Sequence, residues 1–207
     1  SNFLETEGMD GADKKKNNVV NLEALSAAAF ILPRNVRIDN KTTENMLMDL
    51  SGRYDNFNFT HFAQNLENAF VMIIEAFAEG DINTLEALLA PSVYKAFEKE
   101  IKAREKRGET VETHVQSVEK IDVIEVALDG DDISVTARFT AREICLIKDK
   151  EGEIISGDPK RVTQMVDVWV FGRNITDQGP EWYLQETRDD EIEDHKTPVP
   201  EAGEKKK

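Results

Sequence analysis

One cysteine and three histidines are all the thiol and imidazole ligands in 207 residues. A lone Cys145 excludes an internal disulfide and points to a reducing compartment. His61, His114 and His195 are too dispersed to give a metal-ligand spacing, and the acidic runs lack the alternation and glycine of a calcium loop. Positive charge is also scarce. Asp and Glu outnumber Lys and Arg by 41 to 26, for a net charge of -15, so nucleic acid, whose phosphates need basic partners to displace counterions, is excluded as a partner. The same deficit works against unaided binding to anionic lipid. No apolar run is long enough to span a bilayer and no signal peptide is present. Gly152 and Gly157 mark turns with no strand-to-helix junction after them, so they form no phosphate cradle. No cofactor and no metal is expected, and no catalytic constellation is recognisable.

What the chain does have is helical periodicity. Phe59, Phe62, Ala63, Leu66, Ala69, Phe70, Ile73, Ile74, Phe77 and Ala78 recur every three or four residues, which predicts an apolar helix face about five turns long. Asn58 is placed to cap its start, Phe57 to staple it, and Gly80 to stop it in the left-handed conformation. Asp81 then caps a short helix carrying Ile82, Leu85, Leu88 and Leu89, which Pro91 ends. Ser92 opens a third helix with Val93, Phe97, Ile101 and Arg104 along one side, closed by Gly108.

Past Gly108 the period becomes two. Val111 to Leu128 reads as a strand pair or one long bent strand, followed by an Asp-Gly hairpin turn between Asp129 and Asp132. Ile133, Val135, Ala137, Phe139 and Ala141 alternate with polar residues, and Ile144 and Leu146 then fall on the opposite parity, which predicts a bulge near Arg142. Turns are expected at 149–152 and 156–159. A strand from Val162 to Arg173 puts Met165, Trp169 and Phe171 on one face, and a last strand runs from Trp182 to Thr187. Helices followed by hairpin-linked strands predict an α+β domain with an antiparallel sheet, since no helix is free for a parallel crossover.

The run from Phe62 to Glu105, the GET at Gly108 to Thr110, EGEIISGDP at Glu151 to Pro159, and DVWVFGR with WYLQETR together resemble the Tim44-like domain. The resemblance covers about Phe57 to Arg188. It implies a cone of the nuclear-transport-factor-two type, with N-terminal helices on a curved four-stranded antiparallel sheet around an apolar pocket. It also implies peripheral association with an inner membrane and a role in tethering other proteins. Bacterial members of the family generally carry an N-terminal membrane helix, so an anchor is expected upstream of Ser1, with Ser1 and Asn2 read as a cloning remnant.

Three segments follow from this reading: a linker and helical extension over 1–56, the domain over 57–188, and an acidic, solvated tail over 189–207. Within the extension, Val19 to Pro33 is apolar enough for a helix of about three turns, with Val19, Leu22, Leu25, Phe30 and Ile31 as a face for the domain, a second copy, a membrane or a partner. Lys41 to Leu50 holds another short helix with Met46, Leu47 and Leu50 inward. Because cones of this type also host isomerases and dehydratases, His114, Tyr94 and Asp167 are the catalytic candidates, with a His114–Asp167 dyad the arrangement to look for. Asp167 has a simpler role pairing with Arg173 or Arg138. The pocket candidates are Phe70, Ile74, Tyr94, Phe97, Ile101, Met165, Trp169 and Leu184, each of which can equally be core. The favoured function is a non-enzymatic tether or adaptor on the cytoplasmic face of a bacterial inner membrane. Its expected partners are protein clients or membrane-protein complexes, with lipid or a small apolar ligand in the cone as the alternative and an enzyme third.

Overall fold

In the computed structural model, which describes residues 30–177, 182–189 and 199–203, the chain enters its sheet through a three-residue strand, β1 (Val36–Ile38). Four helices follow: α1 (Lys41–Arg53), α2 (Phe59–Glu79), α3 (Ile82–Leu88) and α4 (Pro91–Lys106). The remaining strands are β2 (Thr110–Asp129), β3 (Asp132–Lys148), β4 (Ile154–Ser156), β5 (Thr163–Asn174) and β6 (Tyr183–Asp189). Leu32–Lys207 is one compact unit.

The helix ends obey local chemistry. Asn58 accepts a hydrogen bond from the His61 amide at 2.9 Å, and Asp81 accepts one from the Thr84 amide at 3.2 Å. Gly80, at φ 74°, closes α2 with the Gly80 amide donating to Phe77 and the Asp81 amide to Ala76, the paired bonds that satisfy terminal carbonyls. α4 starts one residue before the expected Ser92. Pro91 is its first helical residue, where a missing N–H costs nothing, so Pro91 begins this helix as well as barring the previous one.

The sheet has six strands among the described residues, in the order β1-β2-β3-β5-β6 with β4 paired to the far end of β3. The expected count of four omits β1 and β4, each three residues long and too short to show a period. All pairings are antiparallel except β1 with β2, which is parallel. The expectation that no helix serves a parallel crossover fails there, because all four helices lie between these two strands and together form the crossover.

Curvature comes from β2. Its 20 residues face the 17 of β3, and Gln116, Glu119 and Ile124 are the three without a partner. Each is a single-residue bulge that bends and twists the strand. The slip expected near Arg142 of β3 therefore lies across the ladder, at Gln116 of β2. The Ile124 carbonyl, displaced from the ladder, accepts from Thr43 Oγ1 at 3.0 Å and Asn40 Nδ2 at 3.0 Å, which fastens the start of α1 to the bulge.

α2 lies against the sheet with ten buried residues. Phe70 stacks on Phe139 at 4.2 Å and touches Trp169 at 4.7 Å, Phe62 meets Phe171 at 5.9 Å, and Phe77 meets Phe97 of α4 at 5.1 Å. Phe62, Phe70, Phe139, Trp169 and Phe171 thus form one aromatic cluster between α2 and the sheet, and the Phe77–Phe97 pair joins α2 to α4. The fold reaches further upstream than Phe57, since α1 buries Leu47 and Leu50 completely. It also reaches past Arg188: Val199 is buried, and Thr187 and Ala202 exchange backbone hydrogen bonds at 2.9 and 3.2 Å. That part of the expected solvated tail is held against β6. Val19, Leu22 and Leu25 lie outside the described residues; Phe30 is half-buried and Ile31 is 76% exposed. Among the described residues no helix is long and apolar enough to cross a membrane.

Candidate functional site

The residues expected to line an apolar pocket are packed solid. Phe70, Phe97, Met165, Trp169 and Leu184 are fully buried, Ile74 and Ile101 nearly so, and they fill the cone with the ring contacts given above. Tyr94 is half-buried and its hydroxyl donates to Glu98 at 2.8 Å along α4, an interaction that pushes the phenol pKa up. The catalytic dyad does not assemble. Asp167 pairs across the ladder with Phe139 and His114 with Ile144, five residues apart on β3, so the two side chains fall on opposite faces. Asp167 is completely buried and accepts a hydrogen bond from Trp169 Nε1 at 2.6 Å, while His114 is exposed. Arg173, offered as a partner for Asp167, donates to the carbonyls of Asn56 and Asp177 at 3.3 and 3.2 Å. Among the described residues no group of three His, Cys, Asp or Glu side chains could hold a metal ion.

Open space lies instead at the end of the cone where β3 outruns β5. Their pairing stops at Glu143 with Thr163, and beyond it β3 is flanked by β4. A cavity of about 810 Å³ results. Glu143, Cys145 and Ile147 of β3, Val111 of β2, Phe77 of α2, Arg104 of α4, and Val199 and Pro200 line it. The β4–β5 loop forms the remaining wall. It can close on β3 only because Gly157, at φ 89°, has no Cβ, which would sit 2.0 Å from the Cys145 carbonyl oxygen.

Two charged side chains are buried in this wall. Arg104 is 6% exposed; its guanidinium donates to the carbonyl oxygens of Phe77 and, at 2.9 Å, of Ala78, and lies 4.8 Å over the Phe77 ring. It thereby caps the negative end of α2. Burial lowers its pKa. Glu143 is 3% exposed, and burial pushes its carboxyl up to about 7. Arg104 Nη1 and Glu143 Oε2 have no hydrogen-bond partner among the described residues. At the rim Arg107 pairs with Glu109 at 2.9 Å and with Glu100 at 3.4 Å.

Sequence reasoning placed Arg104 on the inner side of its helix but passed over Glu143. The signal was present. The inward parity of Ala137, Phe139 and Ala141 continues without a break to Glu143 and Cys145, and only the mislocated slip hid it.

The Tim44-like domain model matches residues 43–189. The chain is 24% identical over 144 residues to mitochondrial import inner membrane translocase subunit TIM44-1 of Arabidopsis thaliana, covering 67% of the chain and 30% of that protein. It is 20% identical over 125 residues to the human subunit TIM44, covering 60% of the chain and 28% of that protein. The chain thus spans less than a third of the length of these relatives. Among solved structures, the intermembrane space region of the chloroplast protein ARC6 aligns with a TM-score of 0.44 at 18% identity, over 61% of this chain and 94% of that one. An NTF2-like superfamily protein from Salmonella enterica aligns with a TM-score of 0.38 at 9% identity, over 58% and 84%. On the strength of the match over 43–189, the chain belongs to the Tim44-like domain family.

Proposed function

We propose that this chain is a non-enzymatic tether or adaptor that supports protein transport or membrane-protein assembly at the cytoplasmic face of a bacterial inner membrane. The observation that carries this reading is the Tim44-like match, which includes relatives named as subunits of an inner membrane import translocase. The interior supports it. Asp167, the carboxylate expected as a catalytic base, bonds Trp169 in a filled core and is not among the residues lining the cavity. The test is co-purification of the full-length protein from native membranes in mild detergent. A translocase or membrane-protein assembly component should accompany it in a fixed ratio; recovery of the protein alone would overturn the adaptor reading.

Membrane attachment belongs upstream of the folded unit, because the net charge of -15 repels anionic lipid and the helices spend their apolar faces on the core. Sedimentation with anionic vesicles should separate a chain beginning at Ser1, which binds weakly and reversibly, from one beginning at Leu32, which does not bind. A start at Asp55 would be uninformative, since it removes β1 and the buried Leu47 and Leu50 of α1. Strong binding by the chain from Leu32 would move the lipid contact into the fold.

A further inference from the structure

The two partnerless atoms in the cavity wall have unequal needs. Arg104 already donates to two carbonyls at the negative end of α2, and Glu100 and Glu105 both act to hold its charge. Its positive charge is thus partly offset where it stands, although burial still lowers its pKa. Glu143 has no such support: no hydrogen bond reaches Oε2 among the described residues, and no neighbouring charge acts on its carboxyl beside the effect of burial. A buried carboxylate oxygen without a donor, in a group with no counter-charge acting on it, is costly, so the cavity's largest unmet demand is for a cationic N–H donor.

We infer that this cavity binds a small organic amine in its ammonium form, the N–H groups donating to Glu143 and an apolar body resting on Phe77, Val111 and Ile147. The volume of about 810 Å³ is within the range of small-molecule sites. A protein of net charge -15 also concentrates cations at its surface. A carboxylate ligand would set a second negative charge beside Glu143, and an alcohol would leave the charge of Glu143 unmet. The other ionisable groups on the cavity are Glu100 and Arg104 of α4, Arg107 just after it, Glu109 before β2, Cys145 of β3, and Asp158 and Arg161 of the β4–β5 loop. Of these, Arg107 is engaged by Glu100 and Glu109, which leaves the interior balance to Glu143 and Arg104. Amine binding can fail while a partner still co-purifies, and the reverse, so this inference and the adaptor reading are tested separately.

Calorimetric titration of the full chain with hexylamine, hexanol and hexanoate at pH 7, in two buffers of different ionisation enthalpy, tests it. Hexylamine should bind at least tenfold more tightly than either of the others. It should also release about half a proton, because a carboxyl titrating at about 7 is half protonated at that pH and ionises on pairing. Glu143→Gln should lose both the tenfold preference and the proton release. No hexylamine binding, equal binding of amine and alcohol, a preference for hexanoate, or an amine preference that survives in Glu143→Gln would each overturn the proposal. If the variant does not fold, the ligand series on the parent protein decides: hexanol or hexanoate binding as tightly as hexylamine overturns it.

Discussion

Phe70→Ala and Trp169→Ala are each expected to cost about 3–5 kcal/mol in chemical denaturation. Both side chains are fully buried, and each meets the other and Phe139 within 5.4 Å, so truncation opens a cavity where α2 joins the sheet. Trp169→Ala carries a second penalty, because it removes the indole donor from the buried Asp167 carboxyl. Of the two, Trp169→Ala should therefore lie nearer the upper end. A loss below about 1 kcal/mol for either would contradict the packing of helix on sheet.

Glu143→Gln should change how stability depends on pH. The folded protein holds the Glu143 proton up to about 7, whereas the unfolded chain releases it near the ordinary 4.5. Between these values the native state binds more protons than the unfolded state, so stability falls as pH rises from 4.5 to 7 and is level above. The gap corresponds to about 3 kcal/mol. Glutamine keeps the shape of the neutral acid and cannot ionise. The variant should match the parent at pH 4.5 and exceed it by about 3 kcal/mol at pH 8, measured as denaturation midpoints across that range. Parallel profiles for the two proteins would show that Glu143 is solvated rather than buried.

The helices were legible because their information is local. Asn58, Gly80 and Asp81 act within four residues of themselves, and the α2 face repeats often enough to fix its own period. The same holds for the hairpin at Gly130, whose two-residue turn aligns Asp129 with Asp132. β1 was not legible, since three residues carry no period and its partner is far away in sequence. The bulges were not legible either. Gln116, Glu119 and Ile124 are defined by what β3 leaves unpaired, a property of two strands that neither shows alone. That gap reaches the site: a slip on β3 turns Glu143 outward, whereas the unbroken strand sets it in the wall of the cavity.

The parallel strand also bears on the order in which the fold can complete itself. Arg37 of β1 pairs with Asp122 of β2 across 85 residues, the register joining Val36 to Ile121. At roughly 5–20 residues per second of synthesis, β1 leaves the ribosome about 4–17 s before its partner exists. It must wait, and closing so long a loop comes late in folding. The delay has a benefit. When β2 emerges, the strand that pairs with Ile121–Val123 on its outer edge is already made, so covering that stretch awaits no further synthesis.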